Sequence, residues 1–186
     1  MSLKSLNFNS GWSLFLDRDG VINHRIPDNY VKTVADFAFI NGVPEALAYF
    51  NKIFTHIFIV TNQQGIGKGL MQVSDLDEIH RFMLSKITGL NGRIDKVYHC
   101  PDLKESGSFY RKPGIGMGLQ ARKDFPDLRF RNCLMVGDSE SDLRFGKRLG
   151  MKTVFISDNL NEIRTLHKLI DYSFPALLDF AKFLQR

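Results

Sequence analysis

Five short, apolar, β-prone runs alternate with stretches of helical periodicity along this chain, and that alternation restricts the fold more than any other feature of the sequence. The runs lie at 12–16, 57–60, 94–98, 134–136 and 153–156. Between and after them, apolar residues recur at helical spacing over 43–51, 74–87, 114–124, 142–149, 160–169 and 175–184. Strands separated by helices predict a mostly parallel, twisted sheet with helices on both faces, a three-layer α/β architecture of the Rossmann type. Ser74, with Asp77 three residues on, is the expected N-cap of the second helix, and Pro175 suits the first turn of the last. At 186 residues, 44% of them hydrophobic, the chain can bury one sizeable core but not two, so a single domain over 1–186 is expected, with 1–10 as a flexible tail. No apolar run approaches the roughly 18 to 20 residues of a membrane-spanning helix, and 1–10 lacks the apolar centre of a signal peptide; the expected location is the cytoplasm. Cys100 and Cys133 are too few for a disulfide framework and are read as reduced thiols.

Doubly wound sheets bind ligands beyond the C-terminal ends of their strands, and there the residues become polar and short. Asp17-Arg18-Asp19-Gly20 follows the first run, Thr61-Asn62-Gln63-Gln64-Gly65 the second and Gly137-Asp138-Ser139-Glu140-Ser141-Asp142 the fourth. Asp17 and Asp19 fall on one face of an extended chain, an arrangement of like charges that needs a cation or a proton. Together with Asp138 and Asp142 they make an oxygen-rich site suited to Mg²⁺; capping of the next helix is the structural alternative for Asp138 and Asp142. Thr61 and Asn62 bring a hydroxyl and an amide, and Gly65, Gly67 and Gly69 leave backbone N–H groups open to an oxyanion, so phosphate suits the pocket. The alternative there is a glycine-rich turn. A P-loop is excluded, because Asn62 stands where that motif needs glycine and Gly69 where it needs Ser or Thr. Arg111-Lys112-Pro113-Gly114 presents two cations on a turn, and an ammonium can neutralise charge on a transferring phosphoryl group.

In this order, acid pair, hydroxyl, lysine and second acid pair resemble the four motifs of the haloacid dehalogenase superfamily, over residues 12–156. FLDRDGVIN at 15–23, TNQQGIGKG at 61–69, RKP at 111–113 and VGD at 136–138 are similar to one branch of it. That branch comprises the D,D-heptose 1,7-bisphosphate 7-phosphatases and the phosphatase domain of histidinol-phosphate phosphatases. The resemblance implies a Mg²⁺-dependent phosphomonoesterase with no separate cap domain. Its implied substrate is a small phosphorylated metabolite, first a sugar phosphate or bisphosphate such as D-glycero-D-manno-heptose 1,7-bisphosphate, with histidinol phosphate as runner-up. The resemblance further implies Asp17 as the nucleophile that forms an aspartyl-phosphate, Asp19 as general acid and base, Thr61 and Asn62 as holders of the phosphoryl oxygens, and Lys112 as the stabiliser of growing charge. Mg²⁺ would be held by Asp17, Asp19 through its backbone carbonyl, and Asp138, with Asp142 orienting Lys112 or metal-bound water. Arg111 and Lys68 match substrate-side positions and either read a second phosphate or are surface charge. Asp28 and Tyr30 lie in the segment 27–31, which resembles the substrate-side loop after the first motif. A monomer is the implied state.

Two features bear on substrate. Members of this branch carry a structural zinc loop, Cys-x-His followed by Cys-x-Cys; here Cys100-Pro101-Asp102 and Ser108-Phe109-Tyr110 match only its first ligand, so no zinc is expected. The net charge is +5, which suits anionic substrates, nucleic acid among them. The basic residues are scattered, with no aromatic stacking stripe, so a polynucleotide end phosphatase is the disfavoured alternative. A catalytically silent binder of a phosphometabolite is the non-enzyme alternative, and four chemically intact motifs stand against it. Phe37, Phe39, Phe54 and Phe58 are read as core packing.

Overall fold

The structure, a computed structural model, describes residues 11–185; the tail expected over 1–10 lies outside the described residues. Six strands form one sheet: β1 (Ser13–Leu16), β2 (His56–Asn62), β3 (Lys96–Cys100), β4 (Cys133–Gly137), β5 (Lys152–Ile156) and β6 (Tyr172–Phe174). Their spatial order is β3-β2-β1-β4-β5-β6 and every pairing is parallel. The helices are α1 (Val43–Ile53), α2 (Gln64–Gly67), α3 (Val73–Gly89), α4 (Gly116–Asp124), α5 (Glu140–Arg148), α6 (Leu160–Leu166) and α7 (Leu177–Leu184).

Alternation along the strands sorts their side chains into two cores, one on each face. Leu14, Leu16, Ile57, Ile59, Leu134 and Val136 join the larger core with Phe50 of α1, Met83 of α3 and Phe180 of α7. Phe15, Phe58, Val60 and Met135 join the other with Met117 of α4 and Phe145 of α5. Both strand faces are buried, which is why these segments read as continuous apolar runs. The four phenylalanines are packing residues: Phe37, Phe54 and Phe58 are buried, and Phe39 meets Phe37 edge-on with ring centroids 4.9 Å apart.

Local differences from the sequence reading concern element ends. β6 is an addition; with three residues and none of them buried, it carries no periodic signal. α3 starts at Val73, capped at Gln72, whose N–H donates to Asp75 Oδ2 at 2.8 Å, so Ser74 lies inside the first turn instead of capping it. α7 starts at Leu177 after Ala176, and Pro175 belongs to the turn that leaves β6.

From β1 the chain winds outward through β2 and β3, then crosses to β4 on the other side, so the winding reverses between β1 and β4 and opens a crevice at their C-terminal ends. The connection from β1 to α1 contains only a short 3₁₀ turn, Val34–Asp36, and isolated bridges joining Asp19 to Asn23 and Asn23 to Phe39. No cap domain interrupts the sheet.

Candidate active site

Asp17 is the first residue beyond β1, and its N–H donates to Val136 O of β4 at 2.9 Å, which carries the β1–β4 pairing to the mouth of the crevice. Its Oδ1 accepts from Arg18 N at 2.7 Å and meets Lys112 Nζ at 2.9 Å. Lys112 arrives from the connection between β3 and α4. Its Nζ also donates to Val60 O at 2.6 Å and pairs with Asp142 Oδ1 at 2.6 Å; all three charged side chains are buried. Asp142 Oδ2 accepts from Ser139 N at 3.1 Å and from Ser139 Oγ at 2.6 Å, closing the capping box of α5. Asp142 thus caps its helix with one oxygen and holds Lys112 with the other. Asn62, at the end of β2, accepts from Lys112 N at 2.9 Å and donates to Lys112 O at 3.1 Å. Both ends of its amide are committed to fixing the lysine's backbone, which places Asn62 behind Lys112 as well as on the cavity wall.

Two buried carboxylates share one ammonium here. Burial, then repulsion from Asp142, pushes Asp17 up to about 6 against the pull of Lys112. Burial, then Asp17 and Asp142, pushes Asp138 up to about 8 in spite of Arg25 and Lys112. For Lys112, burial favours the neutral form, but Asp142 and Asp17 outweigh it and hold the ammonium above its ordinary range. One oxygen from each of Asp17, Asp138 and Asp142 lies within 4.8 Å of the other two. An all-oxygen donor set with surplus negative charge fits a hard divalent cation. Gly20 makes the convergence possible: its φ is +93°, and an added Cβ would overlap the Asp138 carboxylate.

Asp19 faces a different environment. Its carboxylate accepts from Arg18 Nη2 at 2.9 Å to each oxygen, from Asn23 Nδ2 at 2.9 Å and from Gln63 Nε2 at 2.8 Å. Burial disfavours the charge, but Arg18 and these hydrogen bonds outweigh it, and the pKa is lowered. Arg18 is itself fully buried, with Nη1 3.3 Å from His80 Nε2 and Nη2 donating to Gln63 Oε1 at 3.2 Å. Gln63 Nε2 also donates to Thr61 Oγ1 at 2.8 Å, tying the threonine hydroxyl to Asp19.

Asp17, Asp19, Thr61, Asn62 and Lys112 line one cavity of about 590 Å³ together with Asp28, Tyr30, Lys68 and Arg111; Asp138 and Asp142 stand behind its wall. At the rim, Lys68 Nζ sits 5.5 Å from the centroid of the Tyr30 ring, the Tyr30 hydroxyl accepts from Gln64 Nε2 at 2.9 Å, and Arg111 Nη1 donates to Asp102 O at 2.9 Å. Asp28 is exposed with a φ of +54°. Three residues escaped the sequence reading. Gln63 carried a weak signal, two residues from Thr61 on the same strand end. Arg25, which pairs with Asp138 Oδ1 at 2.9 Å, and His80, a lone histidine on a helix, carried none.

Of the three glycine N–H groups expected to stand open after Thr61, that of Gly69 is engaged. Gly69 N donates to Ile66 O at 2.9 Å and Leu70 N to Gly65 O at 2.9 Å, closing the turn after α2, while at Gly67 a Cβ would run into Pro101 O. At Gly69 the structure contains the glycine-rich turn. At Cys100, the position that matches the first ligand of the zinc loop, the thiol donates to Asp102 Oδ2 at 3.4 Å and lies 4.0 Å from Ser108 Oγ; both cysteines are buried free thiols.

Known proteins are similar to this chain. Residues 109–179 match the family model described as HAD-hydrolase-like. The D-glycero-alpha-D-manno-heptose-1,7-bisphosphate 7-phosphatase of Campylobacter jejuni is 36% identical over 86% of this chain and 94% of its own. The D-glycero-beta-D-manno-heptose-1,7-bisphosphate 7-phosphatase of Helicobacter pylori is 32% identical over 94% of this chain and 99% of its own. The crystal structure of D,D-heptose 1,7-bisphosphate phosphatase from B. bronchiseptica, complexed with magnesium and phosphate, has a TM-score of 0.83 to this fold at 27% identity, covering 94% of this chain and 98% of that one. With the four motifs converging at the β1–β4 crevice and relatives of this identity over nearly its whole length, the chain belongs to the haloacid dehalogenase-like phosphatases, in the heptose-1,7-bisphosphate 7-phosphatase family.

Proposed function

We propose that this phosphatase removes one phosphate from D-glycero-D-manno-heptose 1,7-bisphosphate in a Mg²⁺-dependent reaction that passes through an aspartyl-phosphate on Asp17. The observation that carries this reading is the buried Asp17–Lys112–Asp142 chain of ion pairs at the floor of an open cavity with further cations at its rim. Asp17 Oδ1 is held by Arg18 N and Lys112 Nζ, which fixes the carboxylate and leaves Oδ2 for in-line attack on phosphorus. As the Asp17–phosphorus bond forms and the bond to the sugar oxygen breaks, Asp19 protonates the leaving oxygen. It then takes a proton from the water that cleaves the acyl phosphate, releasing inorganic phosphate. Asp19 is a fully engaged carboxylate before substrate arrives, so it must exchange a hydrogen bond for a proton before acting as an acid. Lys112 offsets the charge that grows on the phosphoryl oxygens, and the Thr61 hydroxyl, oriented by Gln63, holds them. Asp17, the Asp19 carbonyl and Asp138 would hold Mg²⁺, which when bound supplies Lewis-acid neutralisation of the phosphoryl group.

A bisphosphate needs two anionic subsites. The floor supplies one, and Lys68 with Arg111 on the same cavity supplies the other. No described helix is long and apolar enough to cross a membrane, and the reading extends to a monomeric, single-domain, cytoplasmic enzyme acting on a free metabolite. Phosphate release tests it, measured on both anomers of the heptose bisphosphate, hexose phosphates, histidinol phosphate and a 5′-phosphorylated oligonucleotide, each with Mg²⁺ and with chelator. The expected result is a kcat/KM at least about tenfold higher for one heptose bisphosphate, abolished by chelation. A higher value for histidinol phosphate or the oligonucleotide would overturn the substrate.

A further inference from the structure

Arg25 stands on the loop after β1 with its side chain about half exposed, and its Nη2 touches two oxygens at once: Asp138 Oδ1 at 2.9 Å and the backbone carbonyl of Asp19 at 3.3 Å. Among the described residues these are its hydrogen-bond partners. They are also two of the three protein oxygens assigned above to Mg²⁺. A guanidinium on these oxygens competes with the metal for them. Octahedral Mg²⁺ draws its oxygens in to about 2.0–2.1 Å, which makes them poorer acceptors for Arg25, and two cations held on the same two oxygens repel. Without Arg25, the Asp17, Asp138 and Asp142 carboxylates would face one another across a single ammonium.

We infer that Arg25 is a built-in counter-ion of these oxygens and exchanges with Mg²⁺: loading the metal releases its guanidinium from Asp138 and the Asp19 carbonyl into the substrate cavity, where it joins Lys68 and Arg111 as a cation for the substrate's phosphates. The inference rests on the proposed Mg²⁺ ligands. Arg25 has room to move, because it lines both the main cavity and an adjoining one of about 360 Å³ that Asp138 also borders. The exchange needs only rotation of an exposed side chain, and an ion pair this exposed is weak enough for a dication to displace. The same motion would order events at the site. The metal enters first, and the released arginine then improves capture of an anionic substrate.

The test is calorimetric Mg²⁺ binding to metal-stripped wild type, Arg25→Gln, Arg25→Lys and Asp138→Asn without substrate, with melting temperatures taken in chelator and in saturating Mg²⁺. Arg25→Gln is expected to bind Mg²⁺ about three- to tenfold more tightly than wild type. Its metal-free form should melt lower, so that Mg²⁺ raises its Tm by more, and Arg25→Lys should fall between the two. At saturating Mg²⁺, Arg25→Gln should show a KM for the bisphosphate raised about three- to tenfold with kcat kept. Equal or weaker Mg²⁺ binding by Arg25→Gln, with binding lost in Asp138→Asn, would overturn the exchange and leave the ligand set standing. Wild-type Mg²⁺ binding by Asp138→Asn would overturn the ligand set and the exchange with it. An unchanged KM would overturn the released arginine's role toward substrate.

Discussion

On the floor of the cavity, Lys112 Nζ is held by three oxygens at 2.6, 2.6 and 2.9 Å and its backbone is clasped on both sides by Asn62. At the rim of the same cavity, Lys68 rests 5.5 Å from the centre of one aromatic ring, and Arg111 has a single backbone carbonyl for its guanidinium. The floor is buried and over-determined, so on the proposed function its charges would need no rearrangement when charge develops on phosphorus. The rim is more open and loosely tied, so on the proposed function its cations would add affinity without being placed to within the tolerance chemistry needs. On the proposed function, floor residues would decide that a phosphoryl group is transferred, and rim residues whose.

The largest effect should come from the floor. Asp17→Asn is expected to lower kcat by about 10⁴-fold or more, since an amide cannot form the acyl phosphate. The Tm should hold or rise, because the variant removes a buried carboxyl whose pKa stands near 6 from beside Asp142. Steady-state rates and thermal melts read both; an active, Mg²⁺-dependent Asp17→Asn would break the floor's claim to the chemistry. Lys112→Met comes next, with kcat down about 10²- to 10³-fold. It should also lose about 3 kcal/mol of stability, because Asp17 and Asp142 are left buried without their ammonium. Chemical denaturation measures the second figure.

Rim substitutions should look different in kind. Lys68→Ala and Arg111→Ala are each expected to raise KM for the bisphosphate about tenfold with kcat within about twofold and stability within about 0.5 kcal/mol. A monophosphate substrate should show little of the KM change. If either variant lowers kcat as Lys112→Met does, the division between floor and rim fails.

That division also marks what the sequence made legible. Asp17, Thr61, Lys112 and Asp138 could be located because each follows an apolar run or sits on a Pro-Gly turn, and a short polar residue there has few structural duties. β1, β2, β4 and β5 could be located because both faces of the sheet are buried there, and β3, at the edge with Lys96 exposed, by a short β-prone run. Partners brought together from afar could not: Asn62 and Lys112 are 50 positions apart, Arg18 and His80 62, and Arg25 and Asp138 113. Spacing within one chain carries no sign of which loops will meet. Gly69 misled for the opposite reason, since a turn that closes on itself and one that opens toward an anion share the same residues. β6 and the Pro175 turn lay below the length at which periodicity is informative.

The region beneath Asp19 offers the finest test, because it is as buried as the floor yet holds a group that titrates near neutrality when exposed. His80 lies on the buried face of α3, and burial, then the charge of Arg18, pushes it down to about 3. Folded, it stays neutral and accepts from Arg18 Nη1 through Nε2; unfolded, it titrates near 6.5. Above that value both states are neutral and pH has no hold on the difference. As pH falls from 6.5 toward 3, the unfolded chain takes up a proton that the folded one refuses, so the stability neutral His80 contributes above 6.5 is lost across that window. Asp17 and Asp138, with raised pKa values, act with the opposite sign over part of the same range, but equally in wild type and variant. His80→Gln keeps an acceptor for Arg18 and cannot titrate. Urea unfolding at pH 7, 6 and 5 should therefore show a variant-minus-wild-type difference that is flat near pH 7 and grows in the variant's favour by up to about 1 kcal/mol per pH unit below 6, with kcat at pH 7.5 unchanged within about twofold. Parallel curves would mean that His80 accepts its proton while folded, and that the support under Asp19 yields as the rim does.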